Sequence, residues 1–131
     1  MPGAKLLAGL LAFGCASAHA DRIVCHLNYG GMTQEIEARP SASPYLVAPS
    51  PVGTFFLFRI VWRDTPTDLA GIKLYTYANR DEGPAILHQA SYPYPLPVER
   101  HDDFTGEQRI YEPIRDSELA YRCAFRQGTN Q

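Results

Sequence analysis

The stretch Arg22–Ala38, which reads RIVCHLNYGGMTQEIEA, decides the fold class of this chain. Apolar and polar residues alternate on both sides of Gly30-Gly31, as they do in half-buried β-strands. Adjacent glycines supply the positive φ angles that a two-residue hairpin turn needs. The sequence therefore predicts an antiparallel hairpin with its apolar side chains on one face. The expected cross-strand pairs are Tyr29–Met32, Leu27–Gln34, Cys25–Ile36 and Ile23–Ala38.

The rest of the chain continues with strand-like segments. Thr54–Arg63 is apolar on both faces, which is typical of a central strand that is covered on both sides. Ile72–Asn79 and Ala85–Tyr92 predict a second hairpin, and Glu107–Glu112 and Leu119–Arg126 predict a last strand pair. No segment of useful length has a helical period. We therefore expect an all-β chain, folded as one small antiparallel β-sandwich of about seven strands.

The first twenty residues have the features of a secretory signal peptide. Lys5 precedes the apolar run Leu6–Phe13, and the small residues that follow lead to Ala18-His19-Ala20. A basic start, a short apolar run and an A-x-A end are typical of a leader that is removed on export. The sequence predicts a signal peptide over residues 1–20 and a single periplasmic or secreted domain over residues 21–131.

The cysteines agree with export. The chain has three cysteines; Cys15 lies in the predicted leader, which leaves Cys25 and Cys123 near the two ends of the mature domain. An isolated pair in an oxidising compartment predicts one disulfide, which here would join the first strand to the last. The alternative for the leader is a lipid anchor at Cys15, because Ala12-Phe13-Gly14-Cys15 resembles the lipobox of bacterial lipoproteins, although Ala12 and the bulky Phe13 depart from its pattern.

The composition of the chain excludes two classes of partner. Lys and Arg number 12 and Asp and Glu number 14, so the net charge is -2. Binding to nucleic acid or to anionic lipid depends on basic patches, and the sequence shows none. We expect neither of these partners, and no transmembrane segment.

Tyrosines and proline-rich loops indicate a binding surface. Pro40–Gly53 and Pro93–Gly106 are long connections, and long ordered loops often carry function. Exposed tyrosine is well suited to recognition. The tyrosines on strands or at the edge of the second loop are Tyr75, Tyr77, Tyr92, Tyr94 and Tyr111. The sequence predicts a non-catalytic protein that binds another protein or a cell-envelope component. The expected contact residues are Tyr45, Tyr92, Tyr94, His101, Asp102, Asp103 and Phe104.

Two other functions are alternatives. His26, His88 and His101, with Met32 and the loop carboxylates, could bind copper or zinc, although no two of these histidines share a ligand-like spacing. The second alternative is acid/base catalysis by Glu99, Asp102 and Asp103. The chain contains no nucleophile motif of the G-x-S-x-G type. We therefore expect no enzyme activity and no cofactor, with a metal site as the alternative.

Overall fold

The computed structural model describes residues 3–5, 8–12, 14 and 20–128, and the protein folds there into eight strands and three short 3-10 helices. Cys15 and the Ala18-His19 part of the predicted cleavage motif lie outside the described residues. The strands, numbered in chain order, are β1 (Arg22–Tyr29), β2 (Met32–Ala38), β3 (Ser50–Val52), β4 (Phe56–Arg63), β5 (Gly71–Arg80), β6 (Gly83–Tyr92), β7 (Gln108–Glu112) and β8 (Ser117–Arg126). They form two antiparallel sheets of four strands each.

The first sheet has the strand order β2-β1-β8-β7 and contains the predicted hairpin. All four predicted cross-strand pairs of β1 and β2 are confirmed. Gly30 and Gly31 form the turn with φ angles of 58° and 78°, which residues with a side chain rarely adopt. The alternation of apolar and polar residues therefore predicts the register of β1 and β2 correctly.

The predicted disulfide is confirmed and lies within the first sheet. Cys25 in β1 is directly opposite Cys123 in β8, and the two cysteines are 98 residues apart in the sequence. Both side chains are buried. The bridge therefore joins the first and the last strand of the domain.

The second sheet has the strand order β3-β4-β5-β6. The described part of the chain has one strand more than the predicted seven, because Ser50–Val52 pairs with the start of β4. This strand was not predicted because Pro51 argues against a strand, since proline cannot donate a backbone hydrogen bond. It is tolerated here because β3 is an edge strand.

The core lies between the two sheets. Its largest buried side chains on the sheets include Trp62, Phe56 and Phe58 from β4 and Tyr121 from β8. The predicted place of β4 at the centre of the core is confirmed, but the prediction that both of its faces are covered is wrong, because the outer face has no second layer within residues 20–128. Val61 is buried there, whereas Leu57 and Arg59 are partly exposed. No helix in the described part of the chain is long and apolar enough to span a membrane.

Glu112 is a buried carboxylate at the turn between β7 and β8. Its side chain is only 1% exposed, and it accepts hydrogen bonds from the Arg80 guanidinium at 3.0 Å and from the backbone N–H of Arg115 at 2.7 Å. Burial raises the pKa of Glu112, but these hydrogen bonds and that of the Ile114 N–H outweigh it and hold the pKa below its ordinary value. The ionised form of Glu112 therefore stabilises the folded state.

We expect Glu112 to make the protein sensitive to acid. Because its pKa is lower in the folded state, its stabilising effect is present above the pKa of an unfolded glutamate, about 4.3, and is lost as the pH falls through the folded value. Thermal unfolding as a function of pH should show a drop in Tm in this range that is weaker in Glu112→Gln. The exposed Glu118→Gln is the control. An identical pH dependence in Glu112→Gln and the wild type would contradict this account.

Candidate functional site

The long loop between β6 and β7 is part of the core, and it contains most of the predicted contact residues. Phe104 is 0% exposed and Leu96 is also buried. The Phe104 N–H donates to the Cys123 carbonyl at 3.0 Å, and the Phe125 N–H donates to the His101 carbonyl at 2.7 Å. These bonds attach the loop to β8. Phe104 is therefore a packing residue, and its side chain cannot form part of a contact surface.

The other aromatic residues of this region are also used in packing. The Tyr94 ring lies 5.3 Å from the Trp62 ring, and the Tyr92 ring lies 5.2 Å from the Phe104 ring. The His101 ring lies 4.7 Å from Phe125. Burial raises the pKa of the hydroxyl groups of Tyr92 and Tyr94. Tyr92, Tyr94 and His101 thus pack against one end of the core and are only partly exposed.

The loop carboxylates are bound to β8. Asp102 forms an ion pair with Arg126 at 2.8 Å, and Asp103 forms one with Arg122 at 3.3 Å. Asp103 also accepts a hydrogen bond from the Gly106 N–H at 2.8 Å. Asp103 thus helps to hold the loop in place, whereas the exposed ion pair of Asp102 contributes little.

The three histidines lie in separate parts of the fold. His26 points outward from the first sheet, 3.8 Å from Glu35. His88 lies on β6 opposite Thr76, with its ring 6.5 Å from that of Tyr121, and His101 is in the loop. Among residues 20–128, no group of three or more His, Cys, Asp or Glu side chains is placed to hold a metal ion. The structure does not bring the predicted metal ligands together.

Tyr45 is the predicted aromatic contact residue that is fully exposed, and the Asp102 side chain is also 94% exposed. Tyr45 lies in the 3-10 helix Pro44–Leu46 and is 93% exposed. The Arg59 side chain holds this helix against β4, since it donates to the Val47 carbonyl at 2.8 Å and also to the Pro44 carbonyl. The exposed Tyr45 and Leu46 therefore project from an anchored segment.

Beside this segment lies the outer face of the second sheet, which we call the tyrosine face. The Tyr75 and Tyr77 rings stack with their centroids 6.2 Å apart, and the Arg59 guanidinium lies 5.3 Å from the centre of the Tyr75 ring. Residues of β4 and β6 that lie opposite the outward-facing residues of β5 belong to the same face. The residues of the tyrosine face are Leu57, Arg59, Val61, Arg63, Lys73, Tyr75, Tyr77, Ile86, Gln89 and Ser91.

A groove of about 250 Å³ lies at one end of the tyrosine face. Val61, Leu69 and Tyr75 give it an apolar lining, and Arg63 and Lys73 bring two positive charges to it. The Nε atom of Arg63 is buried and has no hydrogen-bond partner in the described part of the chain. The groove thus combines apolar surface with cationic donors.

The outer face of the first sheet differs from the tyrosine face in that its positive charges are neutralised. Its arginines are neutralised by carboxylates, as in the ion pairs Arg109–Glu118 at 2.9 Å and Arg22–Glu37 at 3.3 Å. A depression of about 390 Å³ on this face lies between polar residues that include His26 and Arg122. Within residues 20–128, by contrast, the basic side chains of the tyrosine face form no ion pair.

The basic part of this site was not predicted from the sequence. Arg59, Arg63 and Lys73 lie on two strands, and only the pairing of β4 with β5 brings them together. A usable signal was the absence of Asp and Glu from the segments that form the second sheet. No protein-family model, curated protein or solved structure matches the chain.

Proposed function

We propose that the chain is an exported, non-catalytic binding protein and that its tyrosine face contacts an acidic segment of a partner protein. The observation that carries this proposal is the groove, where an apolar lining meets the cations of Arg63 and Lys73. This groove adjoins the exposed segment that carries Tyr45, since Pro44 lines it. The function is thus the one expected from the sequence, with the contact surface moved from the long loop to the tyrosine face.

The charges support an acidic partner. The strands of the second sheet contain no Asp or Glu, although the whole chain has a net charge of -2. A face of one sign attracts groups of the opposite sign and suppresses wrong partners. Guanidinium groups such as that of Arg63 bind carboxylates with two parallel hydrogen bonds. Carboxylate side chains are therefore the complementary ligands.

The apolar and aromatic groups support a polypeptide as the ligand. Tyrosine and arginine are enriched where proteins contact each other, and the core of such contacts is apolar. Tyr75 and Tyr77 offer rigid rings, and Leu69 and Leu46 are exposed aliphatic side chains. The expected ligand is a segment that alternates carboxylates with apolar side chains.

Export rests on two observations. The Cys25–Cys123 disulfide supports an oxidising compartment, because such bonds are rare in the cytosol. The pattern of residues 1–20 supports a leader. Both agree with a protein that acts in the periplasm or outside the cell.

A double substitution tests the proposed surface. Isothermal titration calorimetry at low salt should show that the wild type binds poly-L-glutamate. The double variant Arg63→Gln with Lys73→Gln should bind it with an affinity lower by about tenfold or more, since two cations in contact with the ligand are lost. Higher salt should weaken the wild-type binding, because exposed charges are screened.

Arg109→Gln with Arg122→Gln is the matched control, since it removes the same charge from the outer face of the first sheet. We expect it to bind poly-L-glutamate as the wild type does. An equal loss in both double variants would show that net charge, and not the tyrosine face, determines binding. Binding of alginate but not of poly-L-glutamate would overturn the choice of a polypeptide in favour of an acidic glycan.

A further inference from the structure

Strand β6 is an unprotected sheet edge. It is ten residues long and pairs only with β5, so its other side is not paired with a strand in the described part of the chain. Its sequence, GPAILHQASY, contains no charged residue. Ile86 near its middle is 58% exposed. A long, uncharged edge is a template for pairing with another strand.

The other three edge strands carry features that oppose such pairing. Strand β3 has only three residues and contains Pro51. Strand β2 carries Glu35 and Glu37, and β7 has only five residues and carries the exposed Arg109. Charges, proline and short length are the usual protection of sheet edges. In β6, the only such protective feature is Pro84, the second residue of the strand.

We propose that β6 pairs antiparallel with β6 of a second copy of this chain, around a two-fold axis, to form a continuous eight-stranded sheet. An uncharged strand meets no like-charge repulsion when it faces itself. Two-fold dimers are also the most common symmetric assemblies.

The charges at the two ends of β6 suit this arrangement. Asp81 and Glu82 immediately precede the strand. Arg100 lies near its other end, because Arg100 donates to the Phe104 carbonyl at 2.7 Å and the Phe104 ring contacts that of Tyr92. Antiparallel pairing places the start of one β6 beside the end of the other. The acidic pair of one copy then lies near Arg100 of the second copy.

The dimer would have a functional consequence. A two-fold axis perpendicular to the joined sheet keeps both outer faces on the same side, so two tyrosine faces would lie side by side. Two linked sites bind a long ligand more tightly than one, because the second contact is intramolecular. The pairing itself does not depend on the proposed ligand.

Analytical ultracentrifugation without any ligand tests the dimer. From about 1 μM to about 1 mM, the wild type should pass from monomer to dimer, and Ile86→Lys with Gln89→Lys should raise the dissociation constant by about tenfold or more. Met32→Lys with Leu46→Lys adds the same charge at exposed positions away from β6 and should leave the dissociation constant unchanged. A wild type that stays monomeric, or an equal effect of the two double variants, would overturn the proposal.

Hydrogen exchange of the wild type alone gives a second test that needs no variant. Backbone amides of β6 that face the free edge should exchange more slowly in concentrated than in dilute protein, since pairing protects them. A dimer whose β6 amides exchange at the same rate at both concentrations would show that another surface forms the contact.

Discussion

Replacing both Cys25 and Cys123 with alanine should lower the free energy of unfolding by about 4 to 5 kcal/mol. The bridge connects residues 98 positions apart, so it removes much of the freedom of the unfolded chain. A loss of this size approaches the whole stability of a small domain. Urea unfolding followed by the fluorescence of Trp62 measures it.

The wild type in reducing buffer is the control for this experiment, since it breaks the same bond without changing the sequence. The reduced wild type should lose about as much free energy of unfolding as the double variant. A loss below about 1 kcal/mol in the double variant would show that the β1–β8 pairing is sufficient without the bridge. Alanine is the appropriate replacement because both positions are buried and a serine hydroxyl would lack a partner.

Phe104→Ala should destabilise the protein by about 3 to 5 kcal/mol, because it leaves a cavity in the core at the end where the long loop is anchored. Tyr45→Ala should change the stability by less than about 0.5 kcal/mol, because that side chain is exposed. Urea unfolding of the two variants and the wild type measures these changes in the free energy of unfolding. A small effect of Phe104→Ala would mean that the long loop is not part of the core and could serve as a contact surface.

The hairpin, the disulfide and the all-β class could be predicted because their signals are local or few. Alternation around Gly30-Gly31 fixes both the turn and the register. Only one pairing of the two cysteines outside the leader was available. The additional strand β3 was missed because Pro51 argues against a strand unless the segment is known to lie at an edge, and edge position depends on the whole sheet.

The role of the long loop could not be predicted for a related reason. Prolines and carboxylates made Pro93–Gly106 resemble a surface connection, and Phe104 within it resembled an exposed aromatic residue. Its burial results from the contact of the loop with β8, some twenty positions later in the chain. Contacts at that separation leave no periodic signal in the sequence.

The tyrosine face was partly predictable. Alternation places Tyr75 and Tyr77 on one face of a strand, and the sequence marked both as candidates for recognition. Arg63 joins them only through the pairing of β4 with β5. The sequence also could not show that arginines of the first sheet are neutralised by carboxylates, while Arg63 and Lys73 form no ion pair within residues 20–128.

An NMR titration of the ¹⁵N-labelled protein with poly-L-glutamate tests the central claim most directly, because it maps the contact residue by residue. We predict that chemical shift changes are concentrated in the amides of residues 59–63 and 71–77, on the tyrosine face and around its groove. Changes confined to residues 101–103 or to the outer face of the first sheet, or no changes at all, would contradict the proposed contact surface.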